Sequence, residues 1–208
     1  MALRILAHTK ENIGIAAEAL KNGDLVAFPT ETVYGLGGNA YSDEAIARIY
    51  AYKNRPKTKA LSVCYAGLEK AYEDIEMDGR AHALAERLLP GPMTLVLRRR
   101  PETRLSALCT AGLSTVAIRV PSNLIALQLL AQLPFPLAVS SANMSGEPSP
   151  ITAEQVLATL KDYADLIVLD GGVCRYGVES TIIDLTTQKI LRQGAVSEQE
   201  INRVIHEL

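Results

Sequence analysis

The feature that most limits what this chain can fold into is a repeated change of apolar period. Ile13, Ala16, Ala17 and Leu20 recur three or four apart, the spacing of a helix that buries one stripe. Thr9 stands before them as an N-cap and Gly23 after them as a stop. A short apolar run, Leu25 to Phe28, follows and ends at Pro29. Ala45, Ile46, Ile49 and Tyr50 trace a second helix, opened by Ser42 and closed before Pro56. Short apolar runs predict further strands at 61–63, 94–98, 115–120, 137–141, 166–170 and 181–185, with another ending at Arg192. Helical spacing predicts helices near 79–89, 122–132, 152–161 and 197–207. No stretch reads as a linker, a repeat or low complexity. The expectation is one α/β domain over residues 1–208, a twisted sheet of parallel and antiparallel strands with helices on both faces.

Size and composition agree. A chain of 208 residues fits one domain of ~100–200 residues and buries enough surface to need no disulfide or structural metal. With 48% hydrophobic and 21% charged residues, it falls outside the disordered, coiled-coil and collagen-like classes. No run reaches the ~18 apolar residues of a membrane span, and the N-terminus lacks a signal-peptide core. The expected location is the cytoplasm. Twenty-one basic residues against 23 acidic ones leave a net charge of −2. Contact with nucleic acid must therefore come from a local patch. Cys64, Cys109 and Cys174 form no CxxC pair and are expected to be free, buried thiols. His8, His82 and His206 show no ligand spacing, so no metal site is expected.

Familiar nucleotide and nucleophile motifs are missing. No GxxxxGK[ST] loop occurs, and the one GxGxx[GA] match, Gly35 to Ala40, starts seven residues after the strand that should feed it. Ser141-Ala142-Asn143 has no SxxK to accompany it, and no GxSxG elbow exists. What stands out instead is polar side chains where a core would exclude them. Pro56 disfavours helical geometry at Arg55, so Lys53 and Arg55 are expected to extend and project to one side. Ser141 and Asn143, past an apolar strand, share that spacing, as do Thr30 and Thr32. Cations, hydroxyls and an amide gathered at strand ends would form a polyphosphate cradle; a solvated basic loop is the alternative. Arg119, inside the apolar strand TVAIRVP, needs an anion to offset its desolvation. Either a buried acid of the protein or a substrate carboxylate would serve. Glu179 and Ser180 stand at the mouth of another apolar strand.

In order along the chain, FPTETVYGLG, KNRP, TVAIRVP, VSSANMSGEPSP, GVESTIIDL and ILRQGA resemble the YrdC-like family of threonylcarbamoyl-AMP synthases. That family is marked by a KxR pair and a later SxN pair, here Lys53, Arg55, Ser141 and Asn143. The resemblance implies a basic concave cavity in which a nucleotidyltransferase joins L-threonine, bicarbonate and ATP, with Mg2+, into threonylcarbamoyl-adenylate and pyrophosphate. A separate complex would then modify tRNA. The implied catalytic residues are Lys53, Arg55, Ser141 and Asn143. The same four would bind ATP together with Lys59, Thr115, Ser149 and Arg192. Thr32, Cys64, Arg119 and Ser180 would hold threonine. The chain departs from the usual pattern at Ala60, at Cys64, where the family often has histidine, and at Gln193. Ending soon after ILRQGAVSEQEI, it looks like the short, single-domain form.

Such chemistry suits residues without a histidine base, because adenylyl transfer asks mainly for positioning and charge neutralisation. The competing expectation is a non-catalytic protein that binds double-stranded RNA or the ribosome, with phosphate contacts from Lys53 to Lys59 and from Arg98-Arg99-Arg100. Aromatic residues are only 5% of the chain, too few to favour stacking of unpaired bases, although recognition of duplex shape does not need them.

Overall fold

The computed structural model describes residues 4–160 and 166–207. The elements are β1 (Arg4–Ala7), α1 (Lys10–Lys21), β2 (Val26–Phe28), β3 (Gly35–Asn39), α2 (Asp43–Tyr52) and β4 (Ser62–Cys64). A 3-10 turn (Leu68–Ala71) leads into β5 (Ile75–Glu76), α3 (Gly79–Leu88), β6 (Met93–Arg99), β7 (Thr115–Arg119) and α4 (Leu124–Leu130). The chain continues through β8 (Leu137–Ser141), α5 (Ala153–Thr159), β9 (Ile167–Asp170), β10 (Thr181–Asp184), β11 (Lys189–Arg192) and α6 (Glu198–His206).

Local chemistry sets the helix ends. Thr9 Oγ1 accepts from the Asn12 amide at 3.2 Å and Ser42 Oγ from the Ala45 amide at 3.2 Å, each satisfying a donor that the helix cannot. Gly23, just past α1, takes φ of +89°, the conformation that favours glycine. The 152–161 pattern becomes α5, which ends at Thr159; Lys161 lies outside the described residues.

All the strands join one sheet, ordered β1-β9-β2-β3-β8-β4-β7-β6-β10-β11, with β5 added to the edge of β6. Pairs β1–β9, β2–β9, β4–β7 and β6–β10 are parallel; β2–β3, β3–β8, β4–β8, β6–β7, β10–β11 and β5–β6 are antiparallel. Period-two alternation divides the core between the two faces. Val26, Phe28, Cys64, Leu137, Val139 and Leu169 pack with α1 and α4. Ala27, Leu36, Val63, Ala138 and Val168 pack on the other side with α2, α3, α5 and Ile201 of α6. Among the described residues no helix is long and apolar enough to cross a membrane.

The Gly35–Ala40 stretch is a strand, β3, rather than a loop of any phosphate-binding kind. A Cβ on Gly38 would lie 2.6 Å from Leu25 Cδ2 and 3.3 Å from Ala45 Cβ, so glycine lets β3 sit tight between β2 and α2. The three cysteines are free and buried.

Candidate active site

The face that α1 and α4 cover over β9, β2 and β3 continues across β4, β7, β6 and β10 as the floor of a cavity of about 460 Å³. Alternate strand residues point into it: Ser62 and Cys64, Thr94 and Val96, Thr115, Ala117 and Arg119, Ile182 and Asp184. The residues between them, Val63, Leu95, Val116, Ile118 and Ile183, belong to the opposite core. The polar interruptions noticed along these strands are therefore one polar surface. Arg55, Arg119 and Arg192 line it together with Glu179 and Asp184, so the lining carries both signs of charge.

Lys53 departs most from its expected geometry. It is not extended: it caps the C-terminus of α2 with φ −94° and ψ −4°, and Asn54 after it takes φ of +46°. Its side chain is 1% exposed and does not line the cavity. Nζ instead donates to the main-chain oxygens of Ser141 and Asn143 and, at 3.3 Å, to Asn143 Oδ1. The Ser145 amide returns a bond to the Lys53 carbonyl at 2.8 Å. Asn143 Nδ2 donates to Met144 O at 3.0 Å and to Glu147 O at 2.6 Å. The KxR and SxN segments thus meet, but through a buried clamp that shapes the loop after β8. Burial, with the Arg55 charge adding to it, pushes the Lys53 ammonium down to about 7. Arg55 reaches the cavity while its Nε and Nη2 bond Lys59 O (3.1 Å) and Ala60 O (2.8 Å). Lys59 contributes that carbonyl; its residue is exposed and does not line the cavity.

Arg119 has its anion inside the protein. Nη2 donates to Glu31 Oε1 at 2.7 Å and to Thr32 Oγ1 at 2.8 Å, and all three residues are buried. Glu31 Oε2 accepts from the Ser122 amide at 3.1 Å. A protein acid therefore offsets the burial of the strand arginine. Its Nε is buried without a partner, and the residue still borders the cavity. Thr32 is fully buried behind it, bonded to Thr30 Oγ1 at 2.8 Å, and does not itself line the space. Cys64 is the β4 register partner of Arg119. Complete burial pushes its thiol up to about 12, which favours the neutral thiol there.

The opposite wall is built by a close chain crossing. Arg192 donates from Nε (3.1 Å) and Nη2 (2.9 Å) to Ser180 O, and Ser180 Oγ lies 2.8 Å from Thr94 Oγ1. Ser149 Oγ donates to Glu179 Oε1 at 2.5 Å, and this bond holds the Glu179 carboxyl below the ordinary range. A Cβ on Gly194 would fall 2.2 Å from Glu179 O, so only glycine lets the chain after β11 press on this wall.

Of the residues singled out from sequence, Thr30, Arg55, Cys64, Thr115, Arg119, Ser141, Glu179, Ser180 and Arg192 line the cavity. Lys53 and Asn143 stand behind Ser141, Thr32 behind Arg119, and Ser149 behind Glu179. Glu31, Ser62, Thr94 and Asp184 were not picked out as site residues. A lone polar side chain within an otherwise apolar run would have marked Thr94 and Asp184; nothing local marks Glu31, 88 positions from its arginine. Among the described residues no cluster of three His, Cys, Asp or Glu side chains is placed to hold a metal ion.

The Sua5/YciO/YrdC family model, described as telomere recombination, matches residues 18–194. The chain belongs to this family. The threonylcarbamoyl-AMP synthase of Pyrococcus abyssi is 44% identical over 200 residues, 94% of this chain and 58% of that protein. The Bacillus subtilis threonylcarbamoyl-AMP synthase is 41% identical over 204 residues, 96% of this chain and 58% of the relative. This family member thus spans somewhat more than half the length of these two relatives. The crystal structure of P. abyssi Sua5 complexed with L-threonine superposes with a TM-score of 0.92 at 41% identity, over 100% of this chain and 62% of that one.

Proposed function

We propose that this chain carries L-threonylcarbamoyladenylate synthase activity, a nucleotidyl transfer from ATP in the cytoplasm that serves tRNA modification. The observation that supports it most is the match along the whole chain to a relative whose structure holds L-threonine. In this reading the neutral amine of threonine takes up bicarbonate as a carbamate and releases water. A carbamate oxygen then attacks the α-phosphorus of ATP, and pyrophosphate leaves. Mg2+ bound to the ATP phosphates would supply charge neutralisation there, with Glu179 and Asp184 the carboxylates that line the cavity. The product passes to a separate complex that modifies tRNA.

The chain's own residues supply charge and position. Arg55, Arg192, Thr115 and Ser141 face the space ATP would fill. Lys53 and Asn143 act from behind by fixing the Ser141 loop, with Lys59 and Ser149 at the margin. Arg119 and Ser180 face the threonine end, with Cys64 beside Arg119 and Thr32 supporting it. The RNA-binding alternative loses ground here. Lys53 is buried and committed to carbonyl oxygens. Arg100 Nε is committed to Tyr72 O and Ile75 O, both at 2.9 Å.

The test is pyrophosphate release from ATP and bicarbonate, screened across the amino acids. Release is expected with L-threonine. Release independent of any amino acid, or greater with another one, would overturn the assignment.

A further inference from the structure

A second pocket, of about 260 Å³, opens on the edge of β6 and is lined by Glu76, Arg98, Arg99, Ser114, Thr115 and Thr186. The topology makes it. β10 pairs with β6 from Met93 to Val96, and β5 takes over at Arg98 and Arg99. Between them the chain leaves β10 in a tight turn, with Asp184 Oδ1 accepting from the Thr186 amide at 2.8 Å and its hydroxyl at 2.7 Å. Thr115 lines both this pocket and the main cavity, so the two spaces share a wall.

Two guanidiniums border the gap. Among the described residues neither the Arg98 nor the Arg99 side chain has a hydrogen-bond or ion-pair partner, and Arg99 Nε is buried without one. Glu76 stands opposite Arg98 in the β5–β6 register but is ion-paired to neither. Arg100 next door differs: its Nε is bonded to two carbonyls and its Nη1 lies 3.5 Å from Glu102. A partly desolvated, unpaired arginine is costly, and an acceptor on the same guanidinium offsets that cost. Arg98 and Arg99 leave opposite faces of β6, and both border the pocket because the sheet is open between β10 and β5; guanidiniums meeting hydroxyl-bearing residues at such a gap have the chemistry of phosphate recognition.

We propose that this edge pocket binds a diphosphate anion through Arg98 and Arg99, beside the main cavity at Thr115. The source of the anion rests on the function proposed above: released pyrophosphate, or the phosphate tail of bound ATP. The anion site itself rests only on the pocket and its two unpaired arginines.

The test titrates sodium pyrophosphate, without ATP or amino acid, into the full chain and into Arg98→Ala and Arg99→Gln, by calorimetry. A non-hydrolysable ATP analogue is titrated in parallel. Each variant should weaken pyrophosphate by ~10- to 100-fold, the loss of one charge-assisted contact. Arg98 is exposed, so Arg98→Ala should melt with the wild type and keep the result interpretable if Arg99→Gln is unstable. Loss for pyrophosphate alone assigns the site to the product; equal loss for the analogue assigns it to the ATP tail. Pyrophosphate affinity unchanged in Arg98→Ala overturns the site. Absence of threonine-dependent turnover would instead sink the synthase reading and leave this titration standing.

Discussion

Arg119 and Glu31 show how much one buried charge can decide. A guanidinium that is 7% exposed demands an anion, and Glu31, 6% exposed, meets it at 2.7 Å. The need was legible in TVAIRVP; the partner was not, because nothing local ties residue 31 to residue 119. Arg119→Lys keeps the charge but loses the planar guanidinium whose Nη2 reaches both Glu31 and Thr32. Its melting temperature should fall by several degrees, about 2–4 °C for each kcal/mol lost in a domain of this size. If the cavity side of Arg119 also holds the threonine carboxylate, the threonine requirement should rise about ten-fold or more while that for ATP stays nearly constant. An unchanged threonine curve removes that role, and an unchanged melting temperature removes the structural weight of the ion pair. Lys53 offers a pH test of the same kind. Its ammonium, pushed down to about 7 by burial, gives up its proton in the folded chain while the unfolded chain still holds it. Between about pH 7 and 10 wild-type stability should therefore rise relative to Lys53→Met, by at most ~1.4 kcal/mol per pH unit; below pH 7 the difference levels off. Denaturant unfolding of both proteins at several pH values reads this directly, and a difference flat across the window would contradict a buried, neutralising lysine.

At the scale of elements, strands rich in Val, Ile and Leu announce themselves, and those that exist for packing do not. β7 and β8 carry their apolar pattern openly, whereas β3 is Gly-Leu-Gly-Gly-Asn, with almost no side chain to register a period. Its glycines answer to neighbours, Phe28, Leu25 and Ala45, that only the fold brings near. β5, two residues long, is too short to show a period at all. The same hidden demand sets the end of β11. Gly194 packs against the Glu179 and Ser180 backbone, and its amide donates to Thr181 Oγ1 at 2.9 Å. Gly194→Ala drives a methyl into main-chain atoms that cannot swing aside, so it should destabilise by ~1–3 kcal/mol. It should also displace the cavity wall formed by Glu179 and Ser180. The expected signature is a joint loss of melting temperature and ligand affinity. A variant that melts with the wild type and binds normally would show that this wall has slack.

At the scale of the molecule, the site is one face of one sheet. Alternation along β4, β6, β7 and β10 turns apolar residues toward the helices α2, α3 and α5 and polar ones toward the cavity, so the floor is as rigid as the core beneath it. Sequence alone marked these stretches as apolar runs and singled out Arg119 inside one of them, but gave no sign that Ser62, Thr94 and Asp184 share its face. Strand order, which brings residue 55 near residues 141 and 192, cannot be read from local pattern. The arrangement also separates small-molecule binding from RNA binding. A ligand that fills a preformed cavity stabilises the fold by mass action, about 2.7 kcal/mol at a hundred times its dissociation constant. Duplex RNA must instead be held by exposed cations, and here the net charge is −2, Lys53 is buried and Arg100 is engaged by main-chain oxygens. Melting curves should therefore shift upward with ATP and threonine together and hardly at all with duplex RNA at physiological salt. Any RNA binding seen at low salt should be the counterion-release kind, falling steeply as salt is raised. Submicromolar RNA affinity that survives physiological salt, with no shift from ATP and threonine, would reverse the assignment of this face from a catalytic cavity to an RNA-binding surface.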